Sequence, residues 1–393
     1  MNKKARVIAF YLPQFHPIPE NDAWWGKGFT EWTNVARAKP LFRGHLQPRI
    51  PADLGFYDLR MPEVREAQAQ LAREAGVEGF CYWHYWFGNG KMLLDRPFRE
   101  VLETGKPDFP FCLGWANHSW SNKTWDKGKR FTPREILQAQ TYPGKEDYIM
   151  HFNYVLKAFQ DKRYIQVDGK PVFVIWDPLS IPNITEFINL WKELAVQSGL
   201  KGIHFVGRME NLFSRNIDND NSLKYSIPNI NKDASKNYNY LLNLGFDAVN
   251  SWGLYRSEVL SKGLLYKYYT RLLNKTFKGI VTEKYKYKKL IKHFYANEDK
   301  WENVYPTIIP NYDRSPRSGK KDKVWYGSTP ELFKKHVQKA IEVVRDKQDE
   351  HKIIFLKSWN EWAETNYVEP DIHFGKGYLN SLGEVLNMNG LKK

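Results

Sequence analysis

Two glutamates three residues apart, Glu361 and Glu364, stand in the segment Ser358-Trp359-Asn360-Glu361-Trp362-Ala363-Glu364, which follows an apolar run at Ile353–Ser358. Breaking a glycosidic bond needs one group to protonate the departing oxygen and another to assist attack at the anomeric carbon, and two carboxyls usually share that work. Glutamates at this spacing are also common on solvent-facing helices, where they do no chemistry. Here Trp359, Asn360, Trp362 and Asn366 surround them and a buried strand precedes them. Glu361 and Glu364 are therefore the candidate catalytic residues. Metal catalysis would draw on His16, His84, His118 and His204, whose spacings match no compact ligand motif, so neither a metal nor a cofactor is expected.

The elements that must position this pair follow from hydrophobic patterning. Eight short β-branched or aromatic runs alternate with helical patterns: Val7–Tyr11, Gly79–Trp83, Phe111–Trp115, Val172–Trp176, Ile203–Gly207, Ala248–Ser251, Val304–Ile309 and Ile353–Ser358. Between the first two, Pro62 suits a helical first turn, Val64, Ala67, Leu71 and Ala75 share one face, and Gly76 suits the stop. Tyr148–Phe159, Ile184–Ala195 and Pro330–Val344 are the clearest later helices. Apolar strands alternating with helices indicate a parallel sheet, and eight units favour an α/β protein of the closed (β/α)8 TIM-barrel type with long βα loops, spanning 1–393 as one domain. No glycine-rich phosphate fingerprint follows the first strand, which counts against a dinucleotide-binding sheet.

In such barrels the site lies just past the C-terminal strand ends. The residues found there form a consistent polar and aromatic set. Tyr11, Gln14, His16 and Trp32 belong to the first unit, His84, Tyr85 and Trp86 to the second, and Trp115, Asn117 and His118 to the third. Asp177, Arg208, Glu210 and Trp252 serve the next three, then Asn311, Asp313 and Arg317 the seventh, with Asn360 and Trp362 beside the glutamates in the eighth. All but Trp191 and Trp301 of the 15 tryptophans lie at strand ends or in the loops that follow. Aromatic faces stack on the C–H faces of sugar rings while Asn, Asp, His and Arg satisfy hydroxyls, so a poly- or oligosaccharide is the expected substrate. Any one of these tryptophans could equally be a buried anchor under a long loop; the set carries the inference.

The net charge of +15 is concentrated, since 256–293 holds eleven Lys and Arg against only Glu258 and Glu283. This aromatic-rich insertion after the sixth strand reads either as a solvated loop or helix pair, or as a surface for peripheral contact with anionic membrane or a lipid-linked glycan. No nucleic-acid-binding motif accompanies it, and nucleic acid is not expected as a partner. No window approaches the length of a membrane span, and the N-terminal run has no apolar leader pattern. A cytoplasmic protein, peripheral at most to the inner membrane, is expected. Cys81 and Cys112 each sit within an apolar run and read as buried free thiols.

The segments "FYLPQFHPIPENDAWWGKGFTEWTNVARAKPLF", "HLQPRIPADLGFYDLR", "GFCYWHYWF", "FPFCLGWAN" and "SWNEWAE" resemble the WbsX-type proteins of bacterial surface-polysaccharide clusters, over about Val7 to Glu369. Those proteins are in turn similar to glycoside hydrolase family 99, the endo-α-mannosidases and endomannanases, chiefly through the barrel and "NEWxE". The resemblance implies a retaining hydrolase that passes through a 1,2-anhydro sugar, with Glu361 taking the 2-hydroxyl proton and Glu364 acting as general acid and base. It further implies that Tyr11 borders the site and that His84 and Tyr85 contact the sugar. The acidic residue that often follows "WAN" in WbsX-type sequences is replaced here by His118, which bears on substrate choice. Two other readings stand beside hydrolysis of an α-linked, mannose-containing surface polysaccharide. One is a glycosyltransferase or transglycosylase of O-antigen, lipopolysaccharide or capsule assembly, for which Asp218-Asn219-Asp220 is the nearest approach to a DxD metal motif. The other is a non-catalytic glycan-binding barrel.

Overall fold

The computed structural model describes residues 4–122, 135–210, 216–217, 223–224, 234–276 and 282–387. Eight strands close into a parallel barrel: β1 (Arg6–Tyr11), β2 (Gly79–Trp86), β3 (Phe111–Trp115), β4 (Lys170–Ile175), β5 (His204–Met209), β6 (Ala248–Ser251), β7 (Val304–Ile308) and β8 (Ile353–Leu356). Each pairs with its neighbour in sequence, and β1 pairs with both β2 (Ile8↔Gly79) and β8 (Ile8↔Phe355) to close the ring. The expected (β/α)8 fold is therefore present. The helices that cover it are α1 (Pro62–Glu74), α2 (Arg96–Thr104), α3 (Lys145–Phe159), α4 (Ile184–Gln197), α5 (Ser235–Asn243), α6 (Leu254–Thr276), α7 (Pro330–Val344) and α8 (Gly377–Asn387). Pro62 opens α1 and Gly76, at φ +78°, ends it, while Thr329 caps α7 by accepting the Leu332 N–H.

Strand alternation sorts side chains into two populations. Phe10 faces inward, stacked on Trp83 at 4.6 Å and Phe355 at 5.0 Å. Gly114 pairs with Trp83 across the β2/β3 ladder, and a Cβ there would come within 3.0 Å of the Trp83 ring; the missing side chain makes room for the indole. The opposite parity packs the helical layer, where Trp115, His151, Phe173 and Trp191 contact one another. Cys81 and Cys112 are register partners, both free and buried.

The basic segment after β6 departs from a solvated loop. α6 bends at Gly263, whose φ of 79° and ψ of 163° are open essentially to glycine. Glu283–Lys286 then pairs in parallel with Lys323–Tyr326, and Tyr285, Tyr287, Leu290, Phe294 and Trp325 form a second apolar core over Trp252 and Tyr312. Glu258, fully buried, holds Lys267 at 2.7 Å and Lys323 at 2.6 Å and accepts the Trp325 indole N–H at 3.0 Å. Aromatic residues interleaved with lysines look like a surface tract in one dimension; here the aromatics supply packing and Lys267, joined by Lys323 from outside the segment, neutralises an interior acid. Among the described residues no helix is long and apolar enough to cross a membrane. Asp218-Asn219-Asp220 lies outside the described residues.

Candidate active site

The inward parity, followed past the strand ends, lines an open pocket of about 620 Å³. Trp83 and Tyr85 come from β2, Trp176 follows β4, Arg208 lies on β5 with Glu210 just after it, Trp252 follows β6, and Lys357 follows β8. The Arg208 guanidinium lies 4.2 Å from the Trp176 ring and 4.8 Å from Trp252, and its Nε donates to the Trp176 carbonyl. The two indoles meet edge to face with centroids 4.7 Å apart, and the flat cation lies in the angle they make.

At the floor both glutamates share two cations. Lys357 Nζ reaches Glu361 Oε2 at 3.1 Å and Glu364 Oε2 at 3.2 Å. Arg317 Nη1 reaches Glu361 Oε1 at 3.2 Å and Glu364 Oε1 at 2.5 Å, while its Nη2 meets Glu31 Oε1 at 2.8 Å. Arg314 Nε approaches Glu364 Oε1 at 3.1 Å. Ser358 Oγ donates to Glu361, and Asn366 Nδ2 donates to Glu364. Burial alone would raise the Glu364 pKa, but Lys357, Arg317 and Arg314 outweigh it and hold this carboxyl far below the usual range. Glu31 behaves in the opposite way, because burial exceeds the pull of Arg317 and lifts it to about 7. Burial also raises Glu210 in the pocket wall, where its carboxylate accepts the Tyr255 N–H.

Of the residues expected to bind substrate, Gln14, Tyr85, His118, Asp177, Arg208, Trp252 and Arg317 line the pocket together with Glu361 and Glu364. The others lie behind it. Tyr11 has the outward parity and donates its hydroxyl to Gln68 on α1 at 2.6 Å. His84 and Trp86 also face the helical layer: His84 meets His151 ring to ring at 2.8 Å between nitrogens, and Trp86 donates to Asp147. Trp115 donates to the Trp86 carbonyl in full burial. Asn117 ties two loops together, accepting the Asp177 N–H and donating to its carbonyl. His16 is buried, which lowers its pKa to about 4 and keeps it neutral. Trp32 donates to the Tyr57 carbonyl and packs on Trp362, whose own indole N–H goes to Glu369 at 2.6 Å. Asn311 is buried away from the pocket lining, and Asp313 accepts from His45 and Gln47, both at 2.7 Å. Asn360 clamps β8 to β1, accepting the Leu12 N–H at 2.8 Å and donating to the Leu12 carbonyl at 3.1 Å.

Sequence reading overlooked Lys357, Arg314, Glu31, Trp83, Trp176 and Tyr312. Lys357 carried a usable signal: a charged residue ending an otherwise apolar strand, with the inward parity of Phe355.

The fold and site define a class: (β/α)8 barrels whose mouth carries a carboxylate pair after the eighth strand within an aromatic groove. A family model described as Glycosyltransferase WbsX matches residues 7–382, and the chain belongs to that family. It is 33% identical over 387 residues to the WxcX protein of Xanthomonas campestris pv. campestris, a match covering 97% of this chain and 50% of WxcX. The chain thus spans about half the length of the curated relatives it matches. Among solved structures, an endo-α-mannosidase of glycoside hydrolase family 99 from Bacteroides thetaiotaomicron, in complex with Bis-Tris propane, superposes with a TM-score of 0.55 at 14% identity, covering 99% of this chain and 98% of that one. A glycoside hydrolase-like protein gives 0.57 at 15%, over 98% and 94%. These likenesses establish the shared barrel.

Proposed function

We propose that the protein is a retaining glycosidase acting on an α-linked bacterial surface polysaccharide, with Glu361 and Glu364 as its catalytic pair and residues 1–393 acting as one unit. The observation that carries this is the sharing of Lys357 and Arg317 by both carboxylates, with Arg317 Nη1 at 3.2 and 2.5 Å from their Oε1 atoms and Lys357 Nζ at 3.1 and 3.2 Å from their Oε2 atoms, so neither oxygen pair can be more than the sum of its two contacts apart. An inverting pair needs about 6.5–9.5 Å to admit a water between its carboxyls, more than this sharing allows. The glycoside hydrolase family 99 likeness adds a path through a 1,2-anhydro sugar, in which Glu361 accepts the 2-hydroxyl proton as that oxygen displaces the leaving group. Glu364, ionised in the free site, takes up the proton it delivers only when an arriving sugar draws Arg314 or Arg317 from it. Trp83, Trp176 and Trp252 line the groove with indole surface, and His118 and Asp177 offer polar groups at the mouth.

The family description supports a second reading, in which the same pair passes the sugar to an acceptor hydroxyl in polysaccharide assembly instead of to water. Two unbridged thiols on neighbouring strands suit a reducing compartment, and we place the reaction in the cytoplasm. The test incubates the protein with surface polysaccharide from its producing cell and follows product anomers by NMR. A retained anomer, lost in Glu364→Gln, is expected for hydrolysis and the same retention in a lengthened product for transfer. Inversion, or strict dependence on a nucleotide sugar, would overturn the proposal.

A further inference from the structure

Beyond the Gly263 bend, α6 is inside out. Its solvent side carries Leu265 (86% exposed), Tyr268, Tyr269 (61%) and Leu272 (63%), spaced as one helical stripe. Its inner side carries Tyr266, half-buried against Tyr285, together with Lys267, buried against Glu258, and Thr270, whose hydroxyl is satisfied by the helix backbone. A helix closing a soluble domain places its apolar stripe toward the core, so the reversed order marks this face for burial against something else.

Charge indicates what that is. No acid occurs between Glu258 and Glu283, and the segment packed beside α6 exposes Lys286, Lys288, Lys289 and Lys292. Lys262 sits over the Tyr266 ring at the bend. An apolar and tyrosine-rich helix face with neighbouring lysines matches the interface of a bilayer that carries anionic headgroups, where leucines enter the acyl boundary and tyrosines settle at headgroup level. A second copy of the same face would bring like charges together.

We infer that the 264–276 half of α6 docks the protein on an anionic lipid surface. α6 begins in the pocket wall, with Leu254 and Tyr255 lining the site. At about 1.5 Å per residue the stretch from Leu254 to Lys262 spans roughly 12 Å, and the stripe begins just beyond the Gly263 bend. Docking there holds the mouth of the pocket close to the membrane plane, where a glycan still attached to lipid presents its sugars. The inference concerns location and does not depend on the reaction chemistry.

The test is co-sedimentation with vesicles of equimolar phosphatidylglycerol and phosphatidylcholine, against vesicles of phosphatidylcholine alone. Binding to the anionic vesicles is expected to be at least about tenfold tighter and to weaken steeply as salt rises. Leu265→Ser with Leu272→Ser should reduce it at least about tenfold, and Lys286→Gln with Lys289→Gln by a similar factor. All four positions are exposed, so an unchanged melting temperature shows that the variants fold. Absence of binding to anionic vesicles, or equal binding by the leucine variant, would overturn the inference. So would light scattering that shows a dimer abolished by the same leucine substitutions, since the face would then belong to a second copy.

Discussion

Lys357 is the residue on which the site turns, because its ammonium is the only side chain apart from Arg317 that touches both Glu361 and Glu364 among the described contacts. Two carboxylates this close repel each other, and a shared buried cation offsets that repulsion. Replacing it with the similar-sized methionine should lower kcat/KM by about 10²–10³-fold, the range for losing one preorganised electrostatic partner. The sign of the pH effect follows from Glu364, whose carboxyl is held low against burial by Lys357 first and the two arginines after it. In Lys357→Met its pKa rises, so this general acid keeps its proton to higher pH and the alkaline limb of kcat/KM should move to higher pH; a limb in the same place as the wild type's would reject this role. Arg208 offers a contrasting case, since it packs in the angle between Trp176 and Trp252 and the glutamates hold other cations. Lysine cannot reproduce a flat guanidinium packed on two indoles. Arg208→Lys should raise KM about tenfold with kcat changed little, as initial-rate kinetics would show, whereas an equal fall in kcat would move Arg208 into the chemistry.

The strands explain both what could be read from the sequence and what was misassigned. All eight barrel strands were legible because each is a short apolar run bounded by turn residues, and the two glutamates were placed correctly at the end of β8. The error lay in treating every polar or aromatic residue near a strand end as part of the mouth. Alternation sends Tyr85 inward but His84 and Trp86 outward, and ladder registers carry the inward parity from Phe10 through Cys81, Gly114, Val174, Arg208 and Asn250. Tyr11 and Trp115 fall on the outer side by the same rule, so period-two patterning already contained the distinction. No pattern announces Asn360, which looks like a sugar ligand and instead supplies hydrogen bonds that a non-adjacent loop backbone needs. Its removal leaves the Leu12 N–H and C=O unsatisfied in the interior, at about 1–3 kcal/mol for each group. Asn360→Ala should therefore lose about 2–4 kcal/mol in urea denaturation, and a loss below about 1 kcal/mol would mean that the clamp is dispensable.

At the scale of the whole molecule, buried acids under the site tie its stability to pH. Glu369 joins three parts of the chain: it accepts from Tyr57 in the first loop at 2.8 Å, from Gln68 on α1 at 2.6 Å and from Trp362, next to Glu361, at 2.6 Å. Burial nevertheless lifts its pKa to about 7, as it does for Glu31 beneath Arg317. A carboxyl whose pKa is higher in the folded state than in the unfolded chain binds its proton more tightly when folded. Its contribution is full below the unfolded value, near 4.5, and is lost as pH rises through 7. Glu364 runs the other way: its stabilising contribution is present above the unfolded value and fades only in acid. Between pH 5 and 8, then, Glu31 and Glu369 should pull stability down as pH rises, each by up to roughly 3 kcal/mol. Glu369→Gln is neutral at every pH and retains an oxygen for the donors around it, so the drop in unfolding free energy from pH 5 to pH 8 should shrink by up to that amount relative to wild type. Equilibrium urea unfolding of both proteins at the two pH values measures the difference directly, with all other titrating groups common to the pair. If the two fall by the same amount, the three donors keep Glu369 ionised throughout, and the strap beneath Trp362 is an anion held by hydrogen bonds instead of a neutral acid held by burial.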